Sequence, residues 1–131
     1  MTRHISLLFL AAIMAQGPWL PAAQAGEADV VAARAERSAD GTWRFEVTVA
    51  HEDEGWDHYA DLWQVLAPDG TVLGERVLAH PHVDEQPFTR SLNGVTIPDG
   101  TDRVEVRARD SVHGFGGRSV SVPLGPAGGR D

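Results

Sequence analysis

Cysteine and lysine are both absent from this 131-residue chain. Without cysteine there is no disulfide framework and no thiol for lipid attachment. Both methionines, Met1 and Met14, lie near the N-terminus, so the rest of the chain has no soft sulfur ligand and we do not expect it to carry copper(I). The 11 basic residues are all arginines and are outnumbered by 19 acidic residues, which gives a formal net charge of −8. This balance argues against nucleic acid or an anionic membrane surface as a partner.

Only one long apolar run is present, from Ile5 to Ala15. It is shorter than the roughly 20 residues that a membrane-spanning helix needs, and two prolines follow it. Ala23-Gln24-Ala25 then supplies the small residues that a signal peptidase reads. We therefore predict that residues 1–25 are a signal peptide and that the mature chain begins at Gly26. The protein is then exported, periplasmic or secreted, and has no membrane anchor.

The chain from residue 26 onward is long enough for one domain and shows the pattern of β-strands. Its apolar residues alternate with polar ones, and turn residues interrupt the alternation at short intervals. The pattern predicts a β-sandwich domain at residues 26–124 and a flexible tail at 125–131. Seven strands are predicted, at residues 29–37, 43–50, 61–67, 71–79, 88–98 with a bulge at Asn93-Gly94, 103–109 and 120–124.

The last third of the chain adds a more distinctive pattern. Residues 97–108 read IPDGTDRVEVRA, and they are followed by GFGG at 114–117 and SVSV at 119–122. This run resembles the end of a fibronectin type III domain, although Arg103 stands where that family usually has a tyrosine. The resemblance implies a seven-stranded antiparallel immunoglobulin-like sandwich, and it implies nothing about function.

The connections between the predicted strands are of two kinds. The first, third and fifth are tight turns built on Asp40-Gly41, Asp69-Gly70 and Asp99-Gly100. The second, fourth and sixth are long. Because successive connections in an antiparallel sandwich fall at alternate ends, the long ones should meet at one end, where binding surfaces are usually built. The five histidines that follow residue 25 all lie in long connections: His51, His58, His80, His82 and His113.

Our first hypothesis is a non-enzymatic binding module whose long connections grip a protein, a peptide or a glycan. Aromatic side chains in exposed loops are efficient anchors for such partners. The predicted contact residues are Trp56, Asp57, Tyr59, Glu85 and Phe115.

The alternative hypothesis is an envelope protein that binds or delivers a transition metal, Zn²⁺ or Cu²⁺, which imidazoles and carboxylates suit. His80, His82 and His113 are the first predicted ligands, and His51 or His58 would complete the set. Pro81 restricts the backbone between His80 and His82, so two imidazoles lose less entropy on binding. The same imidazoles could instead form hydrogen bonds with loop carbonyls.

Several other polar residues have structural interpretations. Glu52-Asp53-Glu54 lacks the spacing of an EF-hand loop and is interpreted as a solvated face. Arg90 has the same parity as Phe88 and Leu92, so either it points inward and needs a carboxylate partner or the register changes there. We interpret it as a salt bridge that ties the loop at 80–87 to the strand, in preference to a site for an anion. The candidates for that partner are Asp57, Asp61, Glu85 and Asp110.

Catalysis finds little support in the sequence. Asp110, Ser111 and His113 are the residue types of a catalytic triad, but they are only neighbours along the chain. The glycine-rich run at 114–117 has no helix after it and cannot cradle a phosphate as a nucleotide loop does. We therefore predict that the protein is not an enzyme.

Overall fold

A computed structural model describes residues 26–125. These residues form seven strands in two antiparallel sheets and contain no helix, which confirms the predicted all-β fold. The strands are β1 (Asp29–Arg37), β2 (Trp43–Ala50), β3 (Ala60–Leu66), β4 (Val72–Val77), β5 (Phe88–Val95), β6 (Arg103–Asp110) and β7 (Val120–Pro123). The predicted signal peptide and the tail from residue 126 onward lie outside the described residues.

The two sheets pack face to face over one core. The first has the strand order β1-β2-β5 and the second has the order β4-β3-β6-β7. In β2 and β6 buried residues alternate with more exposed ones, and β3 is buried along most of its length, so the two sheets enclose an apolar core. The largest buried side chains are Trp63, Phe45 and Phe88, and Trp43 packs against the edge of this core.

The strand bounds differ from the predictions by a few residues, mainly in β4 and β5. Strand β4 is shorter than predicted at both ends, and β5 ends at Val95. The predicted bulge is confirmed, because Trp43 pairs with Val95 whereas Phe45 pairs with Leu92, which leaves one extra residue on β5. Gly94 adopts a φ of +70° at this point, a conformation that suits glycine.

All three long connections meet at one end of the sandwich, as predicted. Asp29 at the start of β1 pairs with Ala50 at the end of β2, and Ala60 at the start of β3 pairs with Asp110 at the end of β6. Strand β5 also begins here. We call this end, formed by residues 51–59, 78–87 and 111–119, the long-loop end.

Hydrogen bonds tie the long connections to one another. The Gln86 side chain accepts a bond from His51 N at 2.9 Å and donates one to His82 O at 2.9 Å. Ser111 N donates to Tyr59 O at 2.9 Å, and Tyr59 N donates in return to Ser111 Oγ at 3.1 Å. The second connection is therefore bonded to both of the others.

Candidate metal centre

The inward face of three strands continues beyond the apolar core at the long-loop end. Residues two apart on an extended chain share a face, so the next inward positions after the core residues remain inward. In β2 the buried Val47 and Val49 are followed by His51, and in β6 the buried Val106 and Ala108 are followed by Asp110. On the chain leading into β1, the buried residues Val30, Ala28 and Gly26 follow the same spacing.

Three imidazoles converge on one backbone carbonyl oxygen, that of Gly26. His58 Nε2 lies 3.0 Å from this oxygen, His51 Nε2 lies 3.2 Å from it and His113 Nδ1 lies 2.6 Å from it. The rings also contact one another, with centroids 4.8 Å apart for His51 and His58 and 5.0 Å apart for His58 and His113. We call the three histidines together with Asp110 the histidine cluster.

Asp110 brings a buried carboxylate to the cluster. Its Oδ1 lies 3.3 Å from His58 Nε2 and 3.2 Å from His113 Nδ1. The same oxygen accepts hydrogen bonds from the backbone N–H groups of Val112 and His113. Its Oδ2 is buried and meets no donor among the described residues. One ligand atom each from His51, His58 and Asp110 lies within 4.8 Å of the other two, a spacing compatible with a shared metal ion.

A second layer of carboxylates orients two of the rings. His51 Nδ1 lies 2.5 Å from Asp53 Oδ1, on the side of the ring away from Gly26. His58 Nδ1, which is likewise the ring nitrogen away from Gly26, lies 3.4 Å from Glu54 Oε1. A carboxylate on the far nitrogen of an imidazole is the usual support of a metal-binding histidine, because it fixes the ring and leaves the near nitrogen free to bind.

The His51 nitrogen nearer the cluster, Nε2, points at a hydrogen-bond acceptor, the Gly26 carbonyl oxygen. The Asp53 carboxylate accepts hydrogen bonds, so His51 Nδ1 carries the ring proton. In a neutral imidazole Nε2 then holds a lone pair, which points at the Gly26 carbonyl oxygen 3.2 Å away. These two acceptors repel each other unless a proton or a metal ion lies at Nε2. Two atoms that share an ion at bonds of about 2.0–2.2 Å lie roughly 3 Å or more apart, which His51 and His58 meet with respect to the Gly26 oxygen, whereas the 2.6 Å from His113 Nδ1 to that oxygen is a hydrogen-bond distance.

The imidazoles and the Asp110 carboxylate of the cluster stabilise each other's charged forms. Burial, the largest single effect, lowers the pKa of His58. The hydrogen bonds to Gly26 and Glu54 and the charge of Asp110 outweigh it, so the pKa lies above its ordinary value. Burial likewise raises the pKa of Asp110, but the backbone N–H groups of His113 and Val112 and the nearby imidazoles bring it below its ordinary value. The site therefore stabilises positive charge beside a buried carboxylate.

Asp53 corrects the interpretation of the acidic run as a solvated face. Its side chain is buried, and its two oxygens accept bonds from Ala60 N at 3.0 Å and His82 N at 2.6 Å as well as from His51. Glu52 and Glu54, on either side of it, are exposed as predicted. The physical reason is a tight turn just after β2, in which Asp53 N donates to His51 O at 2.9 Å and the Asp53 side chain returns to the His51 ring.

His80 and His82 do not join His113, although the sequence predicted these three as first ligands. The His82 ring stacks on Phe88 at a centroid distance of 3.9 Å, and its Nε2 faces Arg90 at 2.9 Å. His80 is exposed, and its Nδ1 lies 3.1 Å from the Pro81 carbonyl oxygen, in line with the alternative of bonding to the loop backbone. The fourth connection runs on the far side of Asp53 from the cluster. His51 and His58, rather than His80 and His82, lie beside His113.

Arg90 forms the predicted tie between the fourth connection and β5. Its guanidinium donates to Glu85 Oε1 at 3.1 Å and to the Thr89 carbonyl oxygen at 2.7 Å. Burial, the largest effect, and the positive charges of Arg90 and His80 lower the pKa of His82, so this ring favours its neutral form. Glu85 is thus paired with Arg90, and its side chain is exposed.

The aromatic residues predicted as anchors take different positions. Trp56 is 68% exposed and meets Tyr59 edge-on with ring centroids 5.6 Å apart. Asp57, between them in the chain, is exposed. Phe115 is half-buried beneath the Arg107 guanidinium at 3.9 Å from the ring centroid. Trp56 and Tyr59 therefore form a pair at the surface, whereas Phe115 is already covered by an arginine.

A cleft of about 240 Å³ adjoins the cluster at His51. Three carboxylate residues line it, Glu27, Asp29 and Glu52, together with Ala50, Gln86 and Pro87. A concentration of negative charge attracts cations. The cleft places three carboxylates beside His51, whose side chain is itself fully buried.

Sequence reasoning missed three parts of this site: Gly26, Asp53 and Asp110 as neighbours of the histidines. For Gly26 and Asp110 the signal was present, because each continues the inward alternation of a strand past its last apolar residue. The path of the second connection, which returns His58 to the cluster, has no comparable signal in the sequence.

No protein-family model matches this chain, and no solved structure matches it. Two curated proteins are similar to it in sequence. One, from Halomicrobium mukohataei, is named "Putative lipoprotein" and is 43% identical over 96 residues, which cover 73% of this chain and 47% of that protein.

The other comes from Cereibacter sphaeroides and is named as a component of an ion-translocating oxidoreductase complex. It is 32% identical over 102 residues, covering 78% of this chain and 40% of that protein. The chain therefore spans less than half the length of the curated relatives it matches. The residues that the structure describes include no helix with the length and apolar character needed to cross a bilayer.

Proposed function

We propose that this domain binds a divalent transition-metal ion through the histidine cluster. The observation that carries the proposal is the convergence of His51, His58 and His113 on one point beside the buried Asp110. Two of these rings have a carboxylate on their far nitrogen, so their near nitrogens are oriented toward that point. Asp110 Oδ2, buried without a donor from the described residues, offers a further negative ligand atom.

The donor set favours Zn²⁺ or Cu²⁺ over other common ions. Imidazole nitrogen and carboxylate oxygen suit both, whereas Ca²⁺ and Mg²⁺ prefer sites built from oxygen alone. The chain has no cysteine, so a thiolate site for copper(I) is not available. The acidic cleft beside His51 supports the same assignment, since it would draw a cation toward the cluster.

The test is a calorimetric titration of the chelator-stripped protein with Zn²⁺ and, separately, Cu²⁺. The wild type should bind one ion per chain. The double variant His58→Ala/His113→Ala should bind at least about 100-fold more weakly, because it removes two of the converging nitrogens. His113 is 41% exposed, so the single variant His113→Ala serves as the version with least effect on folding.

His80→Ala is the matched control, since it removes an exposed imidazole at the same end of the molecule. It should bind as the wild type does. Far-ultraviolet circular dichroism checks that each variant is folded. If the wild type binds no ion, or if His80→Ala abolishes binding and His113→Ala leaves it intact, the proposed site is wrong.

The sheet order supports a more specific fold. In an immunoglobulin constant-type domain the fourth strand joins the sheet of the first two, whereas here β4 pairs with β3. With the sequence resemblance at residues 97–122, this supports a fibronectin type III-like sandwich. The signal-like residues 1–25, and the name of the relative called a lipoprotein, support an exported protein of the cell envelope, periplasmic or secreted.

A second candidate function is a binding module for a protein, peptide or glycan. The exposure of Trp56, with Tyr59 against its edge, favours it, because an exposed tryptophan at a loop end is a common anchor. A glycan array and a displayed random-peptide library are the probes. Trp56→Ala should lose every hit that the wild type gives, while Val112→Ala, which removes another exposed apolar side chain, should keep them. Hits that survive Trp56→Ala would contradict this role.

Both candidates are binding functions, and we propose no catalytic one. Ser111 Oγ accepts a hydrogen bond from Tyr59 N, so it serves the backbone rather than His113. Asp110 contacts the same His113 nitrogen that faces Gly26. The three residue types of a triad are present, but they are not arranged as nucleophile, base and orienting acid.

A further inference from the structure

We propose that Gly26 is itself a ligand of the metal, through its carbonyl oxygen and through the α-amino group that signal-peptide cleavage would release. This inference rests on the proposed metal function and names a further part of the same site. If it holds, the complete site forms only after export. The precursor then has a weaker site than the mature protein.

The position of Gly26 carries the first step. Its carbonyl oxygen is the point on which His51, His58 and His113 converge, so an ion held by the nitrogens of His51 and His58 would lie next to it. Gly26 is buried.

The second argument is the close packing around the Gly26 α-carbon. A Cβ atom at this position would lie 2.8 Å from His113 Cε1 and 3.2 Å from its Nδ1 and Nε2. The α-carbon therefore packs directly against the ring that bears one of the proposed ligand atoms. The amino nitrogen is one bond from this carbon, which keeps it in the immediate surroundings of the cluster.

Cleavage supplies the third step. Ala23-Gln24-Ala25 has the small residues of a signal-peptidase site, with the cut before Gly26. Hydrolysis of the Ala25–Gly26 bond consumes one water, leaves a carboxylate on Ala25 and converts the amide nitrogen of Gly26 into a primary amine. The lone pair of an amide nitrogen is delocalised into the carbonyl group. An amine with an ordinary pKa of about 7.7–8.0 releases its proton to solvent when it binds a metal ion near neutral pH. Amine nitrogen and carbonyl oxygen of one residue close a five-membered ring on a shared ion.

The experiment compares two forms of the protein. The mature form is obtained by exporting the full chain with its own leader, and its first residue is established by mass spectrometry. The extended form is the same chain with Ala25 retained and its α-amino group acetylated, so neither Ala25 nor Gly26 has an amine nitrogen. Both are stripped with chelator and titrated with Cu²⁺. We expect the extended form to bind Cu²⁺ at least about tenfold more weakly. This is the lower end of the loss of affinity seen when a group that supports a metal site is removed.

Electron paramagnetic resonance of the Cu²⁺ forms gives an independent measure of the ligands. Labelling the mature form with ¹⁵N-glycine should change the nitrogen hyperfine pattern, because Gly26 would give the ion a labelled nitrogen. The same label should leave the extended form unchanged. ¹⁵N-histidine is the positive control and should change the pattern in both forms.

The outcomes separate this inference from the function on which it rests. Equal affinity in the two forms, with no effect of labelled glycine, overturns the role of Gly26 and leaves the histidine site standing. A first residue other than Gly26 in the exported protein also overturns it. Absence of Cu²⁺ binding in both forms, together with absence of Zn²⁺ binding to the wild type, overturns the metal function itself.

Discussion

Asp53 holds three separate segments of the chain with one buried carboxylate. Its oxygens accept bonds from the His51 ring and from the backbone N–H groups of Ala60 and His82. The second and fourth connections and the start of β3 are thus fixed to one side chain. Hydrogen bonds to a charged group are worth more than neutral ones, and breaking such a buried set leaves donors unsatisfied.

Replacing Asp53 by alanine should lower the free energy of unfolding by about 3 kcal/mol, because three buried donors lose their acceptor. Urea denaturation at neutral pH in the presence of a chelator measures this change without a contribution from metal. Glu52→Ala removes the exposed neighbouring carboxylate and should change stability by no more than about 0.5 kcal/mol. Equal losses in the two variants would mean that Asp53 does not have this role.

Gly117 allows two backbone segments to approach closely. A Cβ atom at this position would collide with the Ala28 carbonyl group, and backbone cannot move aside as a flexible side chain can. Next to it, Val30 N donates to Arg118 O at 2.8 Å, which continues the contact between the two sheets.

Gly117→Ala should therefore destabilise the fold by about 1–3 kcal/mol through overpacking. The measurement is again the urea midpoint, with Val112→Ala as the control, because that side chain is exposed in the same connection. A variant as stable as the wild type would show that the two segments can separate at little cost.

At the scale of the structural element, the fourth connection depends on a neutral histidine. His82 stacks on Phe88 and faces the Arg90 guanidinium, whose charge disfavours a proton on the ring. Burial is the largest cause of its lowered pKa, followed by Arg90 and His80. In the unfolded chain the same ring titrates near its ordinary value of about 6.5.

Acidification should destabilise the protein through His82. The unfolded chain binds the proton at a higher pH than the folded one, so this stability is complete above about pH 6.5 and is lost as the pH falls toward the lowered pKa. His82→Phe keeps an aromatic ring against Phe88 but cannot titrate. Its unfolding free energy, followed by denaturation from pH 7.5 to 5 with chelator present, should fall less steeply than that of the wild type. A steeper fall would contradict the neutral state of His82.

At the scale of the whole molecule, the histidine cluster joins parts of both sheets. Gly26 leads into β1, His51 follows β2 and Asp110 ends β6, so an ion bound here links segments that separate on unfolding. A ligand that binds only the folded state stabilises it by mass action, by about 2.7 kcal/mol at 100 times its Kd.

Saturating Zn²⁺ should therefore raise the Tm by about 10 °C or more in a domain of this size. Thermal unfolding followed by circular dichroism, with and without Zn²⁺, gives the shift, and added chelator should reverse it. Mg²⁺ at the same concentration should leave the Tm unchanged, since it prefers oxygen ligands. A shift of equal size in His58→Ala/His113→Ala would place the bound ion elsewhere.

Much of the fold could be predicted from local patterns. Alternation of period two located the seven strands, and Asn93-Gly94 marked the bulge that the register confirms. The tight Asp-Gly turns and the long connections gave the end of the molecule at which the histidines gather. These features depend on neighbouring residues, so sequence alone carries them.

The membership of the candidate site could be predicted only in part. His51, His58 and His113 were among the proposed ligands, but His80 and His82 were ranked above the first two because of their proline. The structure directs that pair toward Phe88 and Arg90. Asp110 and Asp53 were assigned no role at the cluster, although strand alternation turns Asp110 inward. A tight turn after β2 does the same for Asp53.

The amino-acid sequence by itself determined an acidic all-β domain without cysteine, with its strands, its turns and its histidine-bearing end. Period-two alternation and turn chemistry act over a few residues, so they can be read along the chain. Only the tertiary structure decided which imidazoles meet, because residues 26, 58 and 110 are brought together by long-range pairing and by buried hydrogen bonds. The identity of the cluster is a property of contacts between distant segments, and no local pattern encodes them.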